Sequence, residues 1–209
     1  MKRKQFYPNF LVLSYYGIIV LFFAILTAGL FVFRLSWLYN FDGISKEVEK
    51  KIKSVDKQSF SYDNVIPYYL GVSIYKDMDW LAKNMTQKEA EKVLNYPNPV
   101  VRITAYRSLL NYNSQSFSEK NFQILSQALQ EHEILTGSSG SCVQWVAPAS
   151  YFFSDMYFYL GEKGYDRQKQ INFLKADYHL TNSEMKHLLH LHQISENKID
   201  SVYEAFRSR

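Results

Sequence analysis

The chain has 209 residues, a formal net charge of +4, 17 % aromatic residues and a single cysteine. One cysteine excludes an intrachain disulfide framework and a cysteine-rich zinc site. A charge this mild gives little support to nucleic-acid binding.

Residues 1–9 form a short basic terminus carrying Lys2, Arg3 and Lys4. Residues 10–33 then read FLVLSYYGIIVLFFAILTAGLFVF, without a charged residue. As a helix they would rise roughly 36 Å, enough to cross a hydrocarbon core of about 30 Å with some tilt. A cleaved signal peptide has a shorter apolar run, of about 7–15 residues, with its small residues beyond it. Here Thr27, Ala28 and Gly29 lie inside the run. The stretch is therefore expected to be a retained single-pass transmembrane helix. Tyr15, Tyr16, Trp37 and Tyr39 suit the two interfacial belts. The basic flank ahead of the span favours a cytoplasmic amino terminus, which puts the remainder on the non-cytoplasmic side.

Residues 34–58 are expected to be a juxtamembrane segment and an amphipathic helix. Ile44, Val48, Ile52 and Val55 recur there at helical spacing, with Lys and Glu between them. Residues 59–209 read as an all-α domain. The stretch 60–70 is assigned to helix because its neighbours are helical, and Asp77 to Met85 is a further helix. Thr86 and Glu89 have the spacing of a capping box. Asn98 suits an N-cap and Pro99 the first helical position. Helices are then expected over Ser118–Gln130, with Ser116 and Glu119 as a second box, and over Ala147–Leu160. The Thr, Gly and Ser residues of 132–141 read as loop between them. Asp166 caps another helix, and Thr181 with Glu184 forms a third box. A last helix is expected to start at Ser195. The two terminal helices are no DNA-reading pair, because Glu196 and Asp200 make the second one acidic early.

The segment PNPVVRITAYRSLL, residues 97–110, resembles the signature part of a HEAT-type helical repeat. The resemblance rests on Asn98, Pro99, Val101, Arg102, Ala105 and Leu109. It implies stacked antiparallel helices and a protein-binding surface. It also implies structural roles: Pro99 opens the helix, small Ala105 lets a neighbour approach closely, and Arg102 bridges between repeats.

Chemistry-bearing groups are few. Glu184, His187 and His190 are spaced by three, so on a helix they drift along one side, with His192 following. They are the metal candidates, set against a solvated face beside Leu188 and Leu191. A carboxylate-bridged metal bundle needs a second Glu-x-x-His pair, and the sequence has none. Cys142 has no catalytic signature around it and reads as a small buried hydrophobe. Gly137 to Gly140 lacks the Lys-Ser/Thr of a phosphate loop. Asn84-Met85-Thr86 fits a glycosylation acceptor, although Thr86 is better placed as a cap. No catalytic residue and no cofactor is therefore expected. The expected partners are the bilayer and another protein, with no nucleic acid. The overall reading is a membrane-anchored non-enzymatic scaffold, with a module using the Glu/His cluster or Cys142 as the alternative.

Overall fold

The computed structural model describes residues 17–27, 38–60, 65–67, 73–113, 118–139, 143–158 and 166–207. They belong to two compact units, Met1–Asn40 and Phe41–Arg209.

In the first unit, residues 17–27 form helix α1. Its large side chains are open, from Leu26 at 45 % exposed to Val20 at 67 %. The hydroxyl of Thr27 donates to the Phe23 carbonyl at 2.6 Å. The helix thus satisfies its own polar side chain internally. Among the described residues no helix is long and apolar enough to cross a membrane. The rest of the expected 10–33 span lies outside the described residues.

The second unit is mainly helical. It contains α2 (Lys46–Phe60), α3 (Ser73–Asn84), α4 (Gln87–Val93), α5 (Pro99–Asn113) and α6 (Ser118–Ala128). After these come α7 (Ala149–Phe153), which runs on into a π-helical turn (Ser154–Phe158), then α8 (Arg167–Asp177) and α9 (Asn182–Arg207). Helix α5 is the centre. Val100, Val101, Ile103, Ala105, Leu109 and Leu110 are all buried, as are the polar Thr104 and Ser108. A helix covered all round has no solvent face to keep polar, and α5 packs against α2, α3, α4, α6 and α7. Val48, Ile52 and Val55 are buried on the inner side of α2, Ile44 is buried just ahead of it, and α2 packs on α3 and α5.

Four helix starts, those of α4, α5, α8 and α9, follow the sequence. Thr86 and Glu89 form a complete capping box ahead of α4. Glu89 does more than cap its own helix: its Oε1 accepts the Ser45 N–H at 2.8 Å, just before α2. One carboxylate thereby holds the starts of two helices. The Asn98 side chain accepts the Val100 N–H at 2.9 Å, so Pro99 begins α5 where a missing N–H costs nothing. Asp166 caps α8 through the Lys169 N–H. Thr181 and Glu184 exchange the box hydrogen bonds ahead of α9. Ser116 of the remaining expected box lies outside the described residues.

Four expectations need correction. Residues read as loop in the 132–141 stretch include a strand, β2 (Ile134–Ser139). It lies between β1 (Val65–Pro67), which is parallel to it, and β3 (Val143–Pro148), which is antiparallel. The register pairs Val65 with Thr136 and Ile134 with Pro148. Ile134 and Thr136 suit a strand, whereas Gly137, Ser138 and Ser139 are weak strand formers; a central strand has ladder partners on both edges, and pairing outweighs their propensity. β1 itself occupies part of the 60–70 stretch assigned to helix. The expected helix from Ala147 begins only at Ala149, because β3 runs through Pro148. Finally, α9 is one continuous helix of 26 residues, with no break before Ser195. Ser195 does not cap: its hydroxyl donates back to the Leu191 carbonyl and meets Ser150 Oγ at 2.7 Å.

Candidate functional site

Arg102 leaves the first turn of α5 and holds a dense polar node. Its Nε and Nη2 donate to the two carboxylate oxygens of Glu131, at 3.0 and 2.8 Å. Nη2 also reaches Glu133 at 3.0 Å, and Nη1 donates to the carbonyls of Tyr96 and Pro97, both at 2.9 Å. The fork geometry of a guanidinium suits this bidentate carboxylate pair. Burial works against the charge on Arg102, but the bonds from Glu131 and Glu133 outweigh it and raise its pKa. Beside it, burial and the Glu131 charge push Tyr106 up to about 12. Arg102 thus ties the start of α5 to the segment joining α6 to β2. The backbone of that segment in turn receives α7, with Ala149 N–H on the Glu133 carbonyl and Ser150 N–H on the Glu131 carbonyl. Ala105, fully buried three residues on, carries no group for chemistry.

The carboxy-terminal cluster does not converge. The Glu184 carboxylate accepts from the Thr181 backbone and hydroxyl, both at 2.7 Å. His187 sits edge-on to Phe122, with centroids 5.6 Å apart, and His190 is exposed. Among the described residues no group of three or more His, Cys, Asp or Glu is placed to hold a metal ion. Cys142 lies outside the described residues.

His192, the last member of that run, turns inward instead. It is fully buried and stacks on Tyr151 at 6.1 Å. Its Nδ1 lies 2.9 Å from Ser154 Oγ, in the π-helical turn. Its Nε2 lies 3.2 Å from Glu196 Oε1, within ion-pair distance but not aligned as a hydrogen bond. Burial and, more weakly, the charge of Arg167 lower its pKa, against the opposing pull of Glu196. A neutral imidazole follows. Serine, histidine and a carboxylate are the parts of an acyl-transfer triad. Here Ser154 and His192 are both at 0 % exposure, so no substrate carbonyl reaches the hydroxyl. The arrangement joins α7 to α9: Ser150 and Ser154, four apart, face Ser195 and His192, three apart. Those spacings were the available signal in the sequence, but on separate helices they do not reveal that the two pairs meet.

An open groove of about 210 Å³ runs between α4 and α6 over α5. Leu94, Leu109 and Ile124 supply apolar surface, and Gln87, Glu91, Lys120, Gln123 and Gln127 supply polar groups. It is smaller than the roughly 300–1,000 Å³ of small-molecule sites. No family model, no curated protein and no solved structure matches this chain.

Proposed function

We propose that this protein is a single-pass, membrane-anchored, non-enzymatic scaffold that binds another protein through its helical domain. The observation that carries the anchor is α1. Ile18, Val20, Leu21, Phe22, Phe23, Ile25 and Leu26 stand open to the surroundings, in a sequence run that is apolar throughout. Apolar side chains exposed around a whole helix require an apolar environment, and lipid is the one that a 24-residue uncharged stretch fits. The helical domain lies on the non-cytoplasmic side in this reading. The protein-binding role is supported by the α4–α6 groove. It is also supported by the HEAT-like character of residues 97–110, with α4 and α5 as the helix pair and Arg102 as the bridging arginine.

Carbonate extraction of membranes tests the anchor: the chain is expected in the pellet, and release into the supernatant overturns it. Protease protection in intact cells tests the side. The partner is tested by crosslinking and pull-down from detergent-solubilised membranes, with Ile124→Asp in the groove as the comparison. A partner retained by the native chain and lost with Ile124→Asp is expected. A partner retained equally by both displaces the groove from this role.

A further inference from the structure

We infer that the outer face of α2 is a docking surface for anionic lipid headgroups. The inference rests on the anchor proposed above. Lys46, Lys50, Lys53 and Lys57 are spaced by four, three and four. At about 100° per residue these four fall within roughly 60° of one another around the helix. Val48, Ile52 and Val55 cluster on the opposite side and are buried in the domain core. The fold therefore fixes which way the lysines point. All four are exposed.

The stripe is neutralised only in part, by Glu49, whose carboxylate feels the charges of Lys53 and, more weakly, Lys46. Among the described residues, Lys53 alone of the four has an ion-pair partner, Glu49 at 2.5 Å. That pair sits at the surface, and the Lys53 ammonium also lies 4.9 Å from the Phe41 ring centroid. Lys51 is different: it points off the stripe and pairs with Asp77 at 2.6 Å. Distance along the chain supplies the second argument. Residues 34–45 separate the expected span from α2. Twelve residues reach at most about 43 Å, so the tether keeps the helix within reach of the bilayer surface. A basic helical face held there gains from an anionic surface with each lysine, and the gain is screened within a Debye length. The chemistry is that of a phosphate-bearing lipid surface, on whichever side the domain lies.

The test uses the full chain reconstituted in vesicles of phosphatidylcholine alone, or with about 30 % phosphatidylglycerol. Flotation first reports whether the chain is in the membrane. Brief acetylation, read by mass spectrometry, then reports the accessibility of each lysine. Acetylation of Lys46, Lys50, Lys53 and Lys57 is expected to fall about threefold or more in the anionic vesicles and to recover in about 0.5 M salt. Lys88 on α4 and Lys120 on α6 are exposed controls and should not change. Flotation with equal acetylation in both vesicles overturns this inference and leaves the anchor standing. A chain that floats with neither vesicle removes the anchor itself, and this inference with it. Equal slowing of Lys88 and Lys120 also overturns it, since the whole domain would then be adhering without a defined face. So does protection in zwitterionic vesicles that appears only when duplex DNA is added, which would make the stripe a nucleic-acid surface.

Discussion

Arg102 makes five hydrogen bonds from one side chain that is only 15 % exposed. Removing it leaves Glu131 charged and largely shielded from water, with two carbonyls short of a donor. Arg102→Ala is expected to cost about 3 kcal/mol, and Arg102→Lys to recover only part, because an ammonium does not make the fork. Urea unfolding of the two variants checks this. His179 is a different case. It has φ 54°, the left-handed region, at the end of α8. Leu180 N–H bonds the Lys175 carbonyl and His179 N–H the Ala176 carbonyl, the paired bonds of a Schellman cap. Glycine adopts that φ without a Cβ clash, so His179→Gly is expected to raise stability by about 0.5–1 kcal/mol. A higher urea midpoint is the readout. For His192 the sign follows from its lowered pKa. The unfolded chain takes up a proton near pH 6.5, whereas the folded chain resists it until lower pH. The stability tied to His192 is complete above about pH 6.5 and declines as pH falls below that. His132 is also lowered and adds to the same slope. The contribution of His192 is therefore a difference: the loss of stability from pH 7.5 to 5.5 should be smaller in His192→Phe than in the native chain. Equal losses would show that the buried imidazole is not the titrating group.

Helix starts are where elements depend on single side chains. Thr86 serves α4 alone, whereas Glu89 serves α4 and the entry to α2. Thr86→Ala is expected to cost about 1 kcal/mol, the usual worth of a cap. Glu89→Ala should cost about twice that, since it strands the Ser45 and Thr86 donors together. Equal costs for the two variants, by urea unfolding, would mean that the Ser45 contact contributes nothing. Burial raises the Glu89 pKa, but its hydrogen bonds from Ser45 and Thr86 prevail and hold it below 4.5. Its contribution is accordingly present above that pH and fades as pH falls further. By contrast, α7 has Pro148 at its N-cap and no side-chain cap. The carbonyls of Glu131 and Glu133 satisfy its first N–H groups instead. A long-range backbone contact thus does what a serine or threonine does locally at α4.

For the whole molecule, the anchor reading predicts that α1 fails as a membrane element once charged. Phe22→Arg with Ile25→Arg adds about 2.5–3.5 kcal/mol per arginine to insertion near the centre of a span. The double variant is expected to move from the carbonate pellet to the supernatant. Retention in the pellet would place the membrane contact elsewhere in the chain. The folded unit Phe41–Arg209 has its own buried core, built around α5 from Val48 to Leu188. Its urea midpoint should be unaltered by those two substitutions.

The sequence by itself determined most of the helices and four of their starts, because these depend on neighbours three and four residues apart. Thr86 with Glu89, Asn98 with Pro99, Asp166, and Thr181 with Glu184 are local signals, and the apolar stripe of α2 is a local period. Tertiary structure decided the rest. The Gly and Ser residues at the end of β2 lie in a strand because β1 and β3 are beside them. Ser195 continues a helix because Ser150 arrives from another one. His192 is buried while His187 and His190 are exposed, although all three lie on α9. Which face of a helix meets a neighbour depends on contacts distant in the chain, and those carry no signature within a single helical period.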